Sequence, residues 1–306
     1  MTDDSILWSI QRAAQGGVSG WDWVHHELDS PTVKDAVGHL PEPVQLALLA
    51  PETRPRCDAH EDGLILNLRG INLNPGENAE DMVSIRLWVT ATSVVSVQRR
   101  SLVSVTEMHD AVLAGNGPEN TGAFVQMLTH KLVRRIERET LAQDSHIDDL
   151  EDQGLTPDPP TADHLLTTLQ QLIKLRRFVA PLREALEDLT TLSDHPVLHD
   201  AAQSMIRETG HKCTRAVESL DASRDRLMAL KDHQDGRIAE RQARNGYVLS
   251  VIAAIFLPLG FLTGLFGVNV GGMPGVDMPT AFAILTAGCC IAGVVLFVLL
   301  RWRRWL

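Results

Sequence analysis

The C-terminal sixty residues, Tyr247 to Leu306, constrain this chain more than any other part, because their composition suits a solvent other than water. Tyr247 to Phe266 runs for twenty residues without a formal charge, and Thr280 to Leu300 for twenty-one more. Each is long enough to cross a hydrocarbon core of about 30 Å as a helix. Residues 267–279 between them are rich in Gly and Pro and carry one charge, Asp277. The pattern predicts an integral membrane protein with a two-helix hairpin, spans about 247–266 and 280–300, joined by a short exposed loop.

Charge sets the expected orientation. Arg241 and Arg244 precede the first span, Arg301, Arg303 and Arg304 follow the second, and the loop has no Lys or Arg. By the positive-inside rule both ends are cytoplasmic and the loop faces out. Trp302 and Trp305 flank those arginines as headgroup-level anchors. The N-terminus, Met1-Thr2-Asp3-Asp4-Ser5, lacks the basic and apolar regions of a secretory signal. The expected location is the cell inner (plasma) membrane, with the large N-terminal part left on the side where it is made.

Residues 1–236 carry 22 basic and 37 acidic side chains, a net charge of −15, against +4 from Arg237 onward. Such a domain concentrates cations and disfavours nucleic acid as a partner, although ordinary solubility accounts for the same acidity. Four cysteines make no disulfide framework: Cys57 and Cys213 belong to a reducing compartment and Cys289-Cys290 lie mid-span. With no P-loop, G-x-S-x-G, H-E-x-x-H or Rossmann glycine pattern, the chain is not expected to be an enzyme and needs no cofactor.

In the soluble part, strands are expected at Trp21 to His25, at Leu64 to Leu73, at Met82 to Thr90, which alternates with a period of two, and at Val94 to Val97. Short helices are expected after Ser30-Pro31-Thr32 and over Pro43 to Leu49. Helix then dominates, over Thr106 to Ala114 and over Thr121 to Leu150, whose apolar face runs Phe124, Leu128, Leu132, Ile136. From Leu165 to Leu189 apolar residues recur at steps of three and four, as in coiled coils. From Val197 there is no Pro until Pro258, so one helix can run from the cytoplasm through the first span. The expected fold is an α+β cytoplasmic domain (1–160), long stalk or funnel helices (161–246) and the transmembrane hairpin (247–306).

Two helices cannot enclose an aqueous path, so transport through this hairpin requires a homo-oligomer. The first span is the pore-lining candidate, being continuous with the cytoplasmic helix and ending near Asn269, whose carboxamide offers neutral oxygens to a hydrated cation.

Phe256 to Asn269 (FLPLGFLTGLFGVN), followed by Gly272-Met273-Pro274 and a second span ending in basic residues, resembles the CorA superfamily of divalent-cation transporters. The family's Gly-Met-Asn motif reads Gly267-Val268-Asn269 here, and Gly275 stands where magnesium-transporting members commonly have Glu. Both departures look like the zinc-transporting ZntB branch. The resemblance covers the whole layout and implies a CorA-like homopentamer lined by the first spans, with Asn269 at the mouth and Leu257 and Gly260 lining the pore. Gly260 replaces a small polar residue of some magnesium members. Zinc is the implied ion, with Ni, Cd and Co as others and proton coupling proposed for the branch; a Mg/Co channel is the alternative, and a non-transporting membrane-tethered sensor or scaffold the second.

Further metal candidates come from side-chain chemistry. Cys57 and His60 form a lone C-x-x-H pair of borderline-soft ligands. His195 and His199 stand four apart. The acidic run holding Asp148, Asp149, Glu151 and Asp152 offers hard oxygens suited to steering cations rather than fixing one. Asp277 is the one charge that can draw cations to the outer loop. Each also has an ordinary reading: a stray pair, a solvated helix face, an exposed helix end, a turn aspartate.

Overall fold

A computed structural model describes residues 5–12, 20–192, 195–198, 200–268, 275 and 278–302. Six strands lie in the first hundred residues: β1 (Ile6–Arg12), β2 (Trp21–Glu27), β3 (Arg56–His60), β4 (Gly63–Gly70), β5 (Val83–Val89) and β6 (Ser93–Gln98). They form one sheet in the order β1-β2-β6-β5-β4-β3, antiparallel except for the parallel β2–β6 pair. β1 and β3 carry no expectation from the sequence pattern, and they are the two edges. An edge strand is paired on one side only, so its polar residues weaken the alternation by which strands are recognised. The expected C-x-x-H metal pair lies on one of these strands.

Helices α1 (Val33–Ala36) and α2 (Glu42–Leu49) connect β2 to β3, and α3 (Val103–Leu113), α4 (Thr121–Gly154), α5 (Ala162–Thr191), α6 (Asp200–Phe266) and α7 (Ala281–Trp302) follow the sheet. The central strands are buried on both faces. Leu64, Leu66 and Leu68 with Ile85, Leu87 and Val89 point into a large core shared with α3 to α6. Ile65, Trp88, Val95 and Val97 point the other way, against Val33, Val37, Val44 and Leu48. Gly63 lies under the Trp88 indole so closely that a Cβ there would stand 2.3 Å from the ring.

The apolar face expected on α4 is buried to the last residue, with Phe124, Leu128, Leu132 and Ile136 in the large core. The stripe of α5 from Leu165 to Leu189 meets it, with Leu169 at the margin. Side chains cap both helices at their starts: Asn120 Oδ1 accepts from the Ala123 N–H at 2.8 Å and Thr161 Oγ1 from the His164 N–H at 3.3 Å. The 67-residue α6 runs unbroken from the core into the first apolar span, as the Pro-free sequence predicts, about 100 Å at the usual rise. The chain makes two compact units, Met1–Lys231 and Asp232–Leu306.

Candidate ion-conduction site

Within the second unit the end of α6 and the whole of α7 expose large apolar side chains, among them Leu257 (72%), Phe261 (70%) and Phe282 (81%). Soluble monomers rarely expose a continuous apolar surface of this kind, and both helices have the length and hydropathy of membrane spans. Lipid or further protein covers these surfaces in the membrane.

The two sides of α6 differ. On one, Leu259 packs toward α7, its Cδ1 3.7 Å from where a Cβ at Gly293 would stand. Leu257, Gly260 and Gly264 fall about 100° or more around the helix from Leu259, within an arc of about 60° at the usual 100° per residue. Apart from the helix's own backbone and the adjoining residues, no atom among the described residues lies within 4 Å of where a Cβ at Gly260 or Gly264 would stand. The two predicted pore-lining residues, Leu257 and Gly260, therefore share a face that is open in the single subunit and turned from the Leu259 contact with α7. Gly264 belongs to it too; the sequence reading did not name it, and its i+7 spacing from Leu257 is the signal that identifies it.

Pro258 lies inside α6 and leaves one helical carbonyl without its usual donor. One turn on, the Thr263 hydroxyl donates to the carbonyls of Leu259 at 3.0 Å and Gly260 at 3.2 Å. Such back-bonding bends a helix and competes for its carbonyls. α6 ends at Phe266; Gly267 forms a turn, its N–H donating to the Gly264 carbonyl at 3.2 Å, and Val268 follows. Asn269 and Asp277, the expected mouth ligand and outer-loop charge, lie outside the described residues, as does His199.

The other candidates are all in the first unit. Cys57 and His60 stand three apart on β3, so their side chains take opposite faces of the sheet. Cys57 enters the large core, where burial pushes its thiol up to about 12, and the His60 ring stands 6.1 Å from Trp88 on the opposite side. A metal needs the thiolate and needs both ligands on one side; the fold brings neither. His195 takes a hydrogen bond from the Val197 N–H at 3.3 Å. Among the described residues no group of three or more His, Cys, Asp and Glu converges as a metal site.

The acidic run at the end of α4 is split by the fold. Arg226 of α6 donates to Asp148 at 2.5 Å and to both Glu151 oxygens, and its guanidinium pKa is raised by those bonds. Four acids near a helix C-terminus oppose the macrodipole, and this arginine offsets two of them. Asp149 and Asp152 stay exposed, with no ion pair among the described residues.

Comparison with known proteins fits this layout. Residues 19–303 match the family model described as CorA-like Mg2+ transporter protein. The divalent cation transporter CmaX of Pseudomonas aeruginosa is 35% identical over 297 residues, covering 93% of this chain and 87% of that protein. The zinc transport protein ZntB of Pectobacterium carotovorum subsp. carotovorum is 34% identical over 245 residues, covering 79% and 74%. A full-length CmaX structure superimposes with a TM-score of 0.81 at 30% identity, covering 97% of this chain and 98% of that one. From the sheet domain through the long helices to the two terminal spans, this is a member of the CorA family, an oligomeric inner-membrane transporter of divalent cations and not an enzyme.

Proposed function

We propose that the protein is a homopentameric zinc transporter, with the N-terminal domain and both termini cytoplasmic and residues 267–279 outside. The observation that carries this reading is the two-sided α6, which packs on α7 through Leu259 while Gly260 and Gly264 face open space. One hairpin cannot enclose water, so the open face has to meet its own copies around an axis. Five copies set a ring of Asn269 carboxamides at the mouth, neutral oxygens that replace part of an ion's water shell without trapping it. Leu257 forms an apolar constriction below, and the glycines at 260 and 264 bring the backbone toward the axis. Asp277 draws cations to the outer mouth and Asp149 and Asp152 attract them on the cytoplasmic side.

Selectivity follows from what the pore lacks. Gly275 stands where magnesium-transporting members commonly carry a loop glutamate, leaving Asp277 as the one loop carboxylate, and the throat has no ionisable side chain. Such a path favours an ion that sheds water readily, and Mg2+ dehydrates reluctantly. The ZntB relatives, named for zinc transport, support the same choice at 30–34% identity. Ni, Cd and Co are secondary substrates and protons the coupling ion. The competing reading is a broader Mg/Co channel, which the 35% identical divalent cation transporter CmaX favours. Flux of radioactive zinc and of nickel and magnesium into proteoliposomes, with and without a pH gradient, separates them. Zinc uptake that rises with the gradient is expected; large magnesium flux without zinc flux overturns the zinc reading.

A further inference from the structure

The first unit contains a cavity of about 770 Å³ that none of the transport chemistry uses. It opens at the end of the sheet where β4 finishes, β5 begins and β6 finishes, and it is closed by residues 51–54 and by the middle of α5. Seven arginines line it against two carboxylates, Glu52 and Asp81, a formal +5 inside a protein of net charge −11. Three of the seven are committed to carboxylates: Arg99 to Asp29, Arg100 to Glu77, and Arg176 to Asp221. For Arg54, Arg69, Arg86 and Arg177 there is no ion pair among the described residues, and Asp81 is itself held by Lys174 at 3.0 Å.

Arg69 and Arg86 are the telling pair. They stand diagonally on neighbouring strands, since Asn67 pairs with Arg86 and Arg69 with Ser84. Like charges so placed repel. Arg86 is 1% exposed, yet its acceptors are neutral: the Ala50 carbonyl at 2.8 Å, the Pro51 carbonyl at 3.5 Å and the Ser84 hydroxyl at 3.3 Å. Its buried Nε has no hydrogen-bond partner among the described residues. Arg69 donates to the carbonyls of Thr53 and Met82 and lies 3.9 Å over the Phe178 ring. Burial, then Arg99 and Arg69, pull the Arg86 guanidinium down to about 10, with Asp29 pulling the other way. Carbonyls satisfy N–H groups but do not neutralise charge, and the nearest acids, Asp29 for Arg86 and Glu52 for Arg69, act without a direct ion pair, which leaves a buried cation costly. Anionic oxygens entering the cavity would repay that cost through charge-assisted hydrogen bonds.

We propose that this cavity binds a soluble polyphosphate, inorganic or as the phosphate chain of a nucleotide. The cavity has the size of a small-molecule site. Its arginines come from the 51–54 loop, two strands, the end of β6 and α5, and are spread around the space as several phosphoryl groups require. The Phe178 face is already covered by Arg69, so the phosphate chain and not a base is what the site reads.

The test is calorimetric titration of the full chain in detergent with pyrophosphate, tripolyphosphate, ATP and AMP, repeated with sulfate and with raised chloride. Saturable binding that strengthens from AMP to tripolyphosphate is expected, with ATP close to tripolyphosphate. The exposed pair Arg54→Ala/Arg177→Ala should weaken it by about ten-fold or more, the worth of a lost charge-assisted bond; Arg86→Gln should do the same if it folds, and the exposed pair decides if it does not. No saturable binding at low ionic strength, equal binding of sulfate, or affinity unchanged in the Arg54/Arg177 variant overturns the proposal.

Discussion

At the scale of the residue, His25 shows how a titratable group can be kept from its usual chemistry. It is fully buried on β2, stacked on Trp8 at 4.3 Å between centroids. Its Nδ1 meets the Ser96 hydroxyl at 2.6 Å, and that hydroxyl also accepts from Trp23 Nε1 at 2.7 Å. The Ser96 hydroxyl also reaches the Val24 carbonyl at 3.4 Å, so the His25–Ser96 bond can run in either direction and it is burial that favours the neutral imidazole. Burial lowers its pKa to about 3 from the usual 6.5. The unfolded chain therefore takes up this proton first. The stabilisation is complete above about pH 6.5 and is lost as pH falls toward 3, at up to ~1.4 kcal/mol per pH unit from this one site. Urea unfolding between pH 7 and 5 measures the slope, and His25→Asn should flatten it. A slope identical in both proteins would assign the pH dependence to other groups. Cys57 and His60 teach the converse: suitable ligands at a suitable sequence spacing point apart once the segment is a strand and not a loop.

At the scale of the element, helix starts and faces carry the consequences. Asn120 caps the 34-residue α4, so Asn120→Ala should cost about 1 kcal/mol, read as a lower urea midpoint with an unchanged slope. The neighbouring Gly122 does not tolerate a side chain, because a Cβ there would stand 2.4 Å from the Val197 carbonyl. On α6 the open glycine face makes a sharper claim. Gly264→Leu has room in an isolated hairpin, so the subunit should insert and fold as before. If this face meets its copies around a pore, zinc flux should fall to background and the oligomer should loosen on size-exclusion chromatography; undiminished flux with an intact oligomer would remove this face from the pore.

At the scale of the whole molecule, transport depends on symmetry that one chain does not possess. Asn269→Ala should lower zinc flux by roughly ten-fold or more, the scale on which metal sites respond to losing an oriented group. A tethered scaffold would be indifferent to that change, and proteoliposome flux at equal protein density distinguishes the two. Much of this was legible beforehand. The membrane hairpin, the unbroken helix into its first span, the four interior strands and the buried faces of α4 and α5 all follow from local pattern, because apolar period and chain breakers are properties of adjacent residues. The edge strands β1 and β3 were not legible, since a strand with one neighbour keeps polar residues that hide its period. Nor was the division of the acidic run, where Arg226 claims Asp148 and Glu151 from 75 or more residues away. The arginine cavity is the clearest case. In sequence, Arg99-Arg100 and Arg176-Arg177 look like solvated surface charge, and Arg69 and Arg86 like interruptions of strands. Sequence alone determined the long helices, the four interior strands and the membrane spans; only the tertiary structure decided the edge strands and which charges meet, because those depend on strand order and helix packing between residues far apart in the chain.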